Sequence, residues 1–337
     1  PAPYVLMLGV LVQLIFGISL LTSILISTFL TVCYLYTGGF RSDVHANILE
    51  FILMFAGFAL IVPFSYEKFG GLDFLRRNLP PLHLTWHGGN SIQYILVWFF
   101  IALWTLVDPA FYQRCYAAKD GVTAQRGILL STLCWFVFDF FTSTAGLYAR
   151  AALPHLEHPM FAYPLLAEIT LPSVAKGFFY VGMLATIMSS LSSLTFIGAS
   201  TIGNDIVGRL LVGERSELRS RAITLWTKIG LVLTGLFAVA LAYWIPSVVR
   251  LWYVIGTAII PGLLVPLIST YFRRLTIPAS HAFAAMVLGW GMSTGWMVWG
   301  QMNGGKYLFS VEPMYPGLAV SLACWWLGRM AVRRQGG

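Results

Sequence analysis

The 337 residues hold 58% apolar types and only 10% charged types. A soluble domain carries about 25% charged residues, so this chain cannot cover a water-facing surface and reads as a protein of the bilayer. Its net charge of +8 would suggest nucleic acid in a soluble protein, but the cations gather in alternate loops, which marks membrane topology instead and excludes a nucleic-acid partner.

Spanning helices need roughly 20 apolar residues for a hydrocarbon core about 30 Å thick, and they satisfy their backbone groups internally. The chain opens Pro1-Ala2-Pro3, without Met or a signal peptide, inside an apolar run. Residues 4–18 therefore read as an incomplete first helix of a protein whose earlier part lies upstream, with Gly17 to Ser19 turning the chain. Residues 20–37 form the next span and end at Gly38-Gly39; 47–65, 91–112, 126–149, 171–197, 222–244, 248–271, 281–300 and 315–332 follow. The expectation is an all-α, polytopic membrane protein with nine full spans and one partial span, forming a single transmembrane domain over 1–337.

The loops alternate in character. One set, at Arg41, 114–126, 209–228, 273–274 and 329–334, holds fourteen of the 21 Lys and Arg. The other set, at 68–77, Arg150, Lys176, Arg250 and Lys306, holds the rest. The positive-inside rule places the first set, and with it the C-terminus, in the cytoplasm of a multi-pass cell-membrane protein. The four cysteines, Cys33, Cys115, Cys134 and Cys324, form no CxxC pair and read as small packing residues. His155-Leu156-Glu157-His158 lacks the spacing of a helical zinc motif and is flanked by Pro154 and Pro159, so no metal other than a transported ion is expected. No phosphate loop, nucleophile elbow or dinucleotide-binding glycine pattern occurs, so neither a cofactor nor an enzyme activity is expected.

Three groups of residues carry possible chemistry. In LATIMSSLSSLTFIGASTIGND (184–205), Thr186, Ser189 and Ser190 are spaced i, i+3, i+4 and share a helix face. Two hydroxyls and the Thr186 carbonyl could ligate a hard monovalent cation. The same pattern also serves close helix packing and interhelical bonding, and serine hydroxyls bond back to the carbonyl one turn earlier. Asp139 lies mid-span among aromatics, where a charge is costly and marks function by default. It could hold a cation or a substrate amine, carry a proton, or make a satisfied contact between helices. Asp108 precedes Pro109, and the simpler reading is a carboxylate bonding the donors freed at a helix break. Trp104, four residues earlier, shares its face and is a candidate aromatic gate or a packing residue.

Three stretches together resemble the sodium:solute symporter family: YLYTGGFRSDVHANILEFILMF (34–55), VDPAFYQRCYAAKD (107–120) with its Gln113, Arg114, Ala117, Ala118 and Lys119, and the serine helix within 171–205. The resemblance implies a secondary transporter that couples sodium entry to uptake of a small organic solute. It implies the later part of a five-plus-five inverted repeat with broken helices and midplane sites. It also implies sodium ligands at the Thr186 carbonyl and the Ser189 and Ser190 hydroxyls, with Trp104 near the inner solute gate, Asp139 at the solute or carrying a proton, and no obligate protein partner. The family usually has Ala where Thr186 stands, which a main-chain ligand tolerates. Ala46-Asn47 stand where the family has Thr-Asp, and Glu50 where it has Gln; Arg41, Asp43 and Glu50 redistribute the charge there. By motif position the chain begins within the third core helix, so alone it is not expected to close an ion site. The alternatives are a proton-coupled carrier of the same fold and a sensor input domain. No kinase-like module follows Arg333-Arg334.

Overall fold

The computed structural model describes the backbone of residues 1–211 and 217–335, and the side chains of these except 34, 37–43, 210, 211, 217–219 and 335. Arg41, Asp43, Arg215 and Arg219 therefore lie outside the described side chains, and so does the charge redistribution expected at Arg41 and Asp43. Among the described residues the chain is helical throughout, without a strand. Six helices among the described residues are long and apolar enough to cross a membrane, or seven if one bent pair counts as a span.

Helix α1 (Ala2–Phe16) ends at Gly17, whose φ of 66° is the left-handed conformation glycine adopts without a steric cost. Ser19 then caps α2 (Leu20–Phe69), its hydroxyl accepting the Thr22 amide at 3.2 Å. The two helices bend by 115° at this break, so the expected turn at 17–19 stands where the residues placed it.

The expected helix end at Gly38-Gly39 is corrected, because α2 runs through it unbroken for 50 residues. Glycine costs a helix only about 1 kcal/mol relative to alanine, and this stretch holds no proline. At 1.5 Å per residue, α2 is about 75 Å long, more than twice the hydrocarbon thickness. Its apolar portions are Leu20–Cys33 and Val44–Phe69.

The span expected over 91–112 is a broken helix: α4 (Ile92–Ala102), α5 (Trp104–Val107) and α6 (Pro109–Ala117), with α3 (Leu72–Asn78) preceding them. Helices α7 (Gly121–Ala152), α8 (Ala162–Thr170) and α9 (Ser173–Ser200) follow, the last continued by a π-helical stretch, Thr201–Leu211. The remainder is α10 (Glu217–Trp244), α11 (Val248–Tyr271), α12 (Ala279–Met302) and α13 (Met314–Gln335).

The chain divides into two compact units. The first comprises Pro1–Leu84 and Gln113–Leu251. Its core brings Leu6, Leu11, Ile24, Ile61, Phe179, Ile187 and Leu191 together, with Phe58 against the rings of Phe138, Tyr163 and Phe179. α2 and α9 approach closely at Gly57 and Gly182, where a Cβ on either would lie 3.0 Å from the other's Cα. Such small-residue contacts let membrane helices pack backbone to backbone.

The second unit comprises Thr85–Tyr112 and Trp252–Gly337, with Val97, Ile101, Ile260, Leu264, Met314 and Leu318 at its centre. Pro261 inside α11 offers no N–H to the Thr257 carbonyl one turn earlier. The fully buried Ser293 of α12 supplies the missing donor, its hydroxyl lying 2.6 Å from that carbonyl. Ser293→Ala should destabilise the protein by about 1 kcal/mol, read as an earlier thermal transition in detergent. An unchanged transition would mean that the proline-freed carbonyl finds another donor.

Candidate functional site

Thr186, Ser189 and Ser190 lie on the half-buried part of α9, one turn beyond the Gly182 contact. The Thr186 hydroxyl donates to the Gly182 carbonyl at 2.8 Å. The Ser189 hydroxyl lies 3.2 Å from the Thr186 carbonyl and donates to it. Two of the three expected ligand oxygens are thus adjacent, and both keep lone pairs beyond this long internal bond. The next pair, Ser192 and Ser193, is buried. Ser193 donates to the Ser189 carbonyl at 2.8 Å.

Neutral hydroxyl and carbonyl oxygens on a helix face that stays partly open suit a monovalent cation.

Ser193 has further neighbours that spacing along the chain did not reveal. The Arg114 guanidinium donates to its hydroxyl at 2.7 Å, and Asn47 Nδ2 lies 3.5 Å away. Both residues fall inside the motifs singled out above, but their convergence on α9 depends on the packing of α2 and the placement of α6.

Asp108 is 7% exposed. One carboxylate oxygen accepts the Ala110 amide at 2.8 Å and the other accepts the Trp104 indole N–H at 2.9 Å. With Pro109 as the first residue of α6, this is an N-cap followed by the residue best suited to lack an amide donor. Asp108 thus makes the bond to a freed donor that its simpler reading expects. The Trp104 N–H is committed to this cap, and its ring meets Trp252 edge to face at 6.2 Å. Both residues belong to the second unit.

Asp139 is exposed on α7, beside the exposed rings of Trp135, Phe136 and Phe140. α7 turns Phe138 and Phe141 toward the core instead. The structure does not bring Asp139 to the serine face of α9.

Comparison with known proteins follows the same lines. A sequence model described as the sodium:solute symporter family matches residues 5–289. The sodium/pantothenate symporter of Escherichia coli (strain K12) is 27% identical over 327 residues, covering 93% of this chain and 65% of that protein. Sodium/proline symporter 2 of Staphylococcus saprophyticus is 20% identical over 328 residues, covering 93% of this chain and 63% of that protein. The chain thus spans about two thirds of the length of the curated relatives it matches. A solved structure of a Na+-coupled sialic acid symporter, in a substrate-bound outward-open state, superposes with a TM-score of 0.69 over 98% of this chain and 71% of that one, at 18% identity.

Proposed function

This multi-pass membrane protein belongs to the sodium:solute symporter family, and from that premise we propose that it carries a small organic solute across the cell membrane, driven by the sodium gradient. The observation that carries the reading is the partly open turn of α9, where the Thr186 carbonyl and the Ser189 hydroxyl lie 3.2 Å apart with Ser190 beside them. In this reading these three residues ligate sodium, which travels as cargo with the solute. In this reading the chain is one transporter domain that forms part of a five-plus-five inverted repeat, and the cation-rich loops and the C-terminus face the cytoplasm.

The Trp104 ring, whose N–H is fixed by Asp108, borders the inner solute gate. The solutes named for the relatives, pantothenate, proline and sialic acid, share a carboxylate, so a small carboxylate is the first class to test. Asp139, ionisable and mid-span, favours a second reading in which a proton drives the same fold.

The test is uptake into proteoliposomes by the full-length protein, with radiolabelled pantothenate, proline and sialic acid as probes. Under an inward sodium gradient at least one probe should accumulate, and replacing sodium with choline should stop it. Accumulation that follows a proton gradient and ignores sodium would overturn the sodium reading in favour of the second.

A further inference from the structure

Sodium that binds must also leave, and a helix that offers only oxygens gives no reason for it to do so. Beside those oxygens stands a fixed positive charge. Arg114 is charged at any physiological pH, and its guanidinium reaches from α6 to the buried Ser193 hydroxyl at 2.7 Å. Ser193 is one turn from Ser189, so the two differ by about 6 Å along the helix axis, and Ser193 in turn donates to the Ser189 carbonyl at 2.8 Å.

We propose that Arg114 is an internal counter-cation that holds the sodium affinity of the Thr186, Ser189 and Ser190 turn down, without touching the ion. The proposal rests on the sodium site described above. Its sign does not depend on what else faces the guanidinium. Removing a unit charge removes its direct repulsion of sodium, whatever other charges remain. Two unit charges about 8 Å apart at an effective dielectric of about 20 repel enough to change binding by roughly thirtyfold. Ser193 makes the effect reproducible by anchoring the guanidinium, and Asn47, with its Nδ2 3.5 Å from the same oxygen, adds a second donor to that anchor.

A purely structural role predicts the opposite sign, because a loosened α9 would bind sodium less well. The measurement is binding of radioactive sodium to the purified full-length protein, with a melting curve recorded in choline for each variant. Arg114→Gln should bind sodium roughly thirtyfold more tightly, and Arg114→Lys should stay near the unaltered protein. Unchanged or weaker binding in Arg114→Gln overturns the proposal. If Arg114→Gln does not fold, Arg114→Met carries the test: it also removes the charge and should tighten binding by a similar factor, and unchanged or weaker binding again overturns the proposal. Failure of the function reading looks different, since the unaltered protein would then bind no sodium at all.

Discussion

If the proposed sodium site is right, replacing Ser189 and Ser190 together by alanine should abolish sodium-driven uptake and weaken sodium binding roughly 100-fold or more. In the proposed site each hydroxyl would ligate the cation, and an interaction of a polar group with a charge contributes about 1.5–3 kcal/mol. Two such losses span two or more powers of ten in a dissociation constant. The fold should survive, because among the described residues the Ser189 hydroxyl bonds within its own helix, at 3.2 Å from the Thr186 carbonyl. Thr186→Ala is the informative partner. It deletes a hydroxyl that donates to the Gly182 carbonyl at 2.8 Å but keeps the main-chain carbonyl, so sodium binding should persist. The same titration with radioactive sodium reads both variants. Full sodium binding by the double serine variant would remove this turn of α9 from the mechanism.

What could be read from residues alone was local. Gly17 and Ser19 announced a helix reversal because each residue type has its own backbone or capping role, and the turn is there. Asp108 before Pro109 announced a capped break for the same reason. Gly38-Gly39 misled, since glycine weakens a helix without ending it, and α2 continues. The serine face was visible as a spacing, but spacing could not separate an ion site from a packing seam. Asp139 shows the limit from the other side. Its mid-span position made it a candidate, and only the orientation of α7 shows that it faces away from the core. The link from Arg114 to Ser193 joins residues 79 apart in the chain. No periodicity encodes it, because it depends on the tertiary packing of the first unit.

The other large effect is expected where α2 and α9 touch. Gly182→Val should cost about 3 kcal/mol, near the upper end for forcing extra atoms into a filled space, and should reduce the yield of folded protein. The added Cβ would meet the Leu53 carbonyl at 2.8 Å and the Gly57 Cα at 3.0 Å. Both obstacles are backbone, so no side chain can swing aside and the helices must part. Parting them loosens Phe58 from Phe179, whose rings are 5.1 Å apart, and draws Asn47 of α2 away from Ser193 of α9. The packing seam and the candidate ion site therefore share one helix pair, and a defect in the first should be felt in the second. Gly177, on the same helix, has nothing within 4 Å of where its Cβ would be. Gly177→Ala should be neutral or stabilise by up to about 1 kcal/mol through helix propensity alone. Thermal melts of the two variants should move in opposite directions or differ widely. Equal melting would mean that the contact at Gly182 does not set the separation of the two helices, and that the position of Asn47 beside Ser193 is held by other parts of α2.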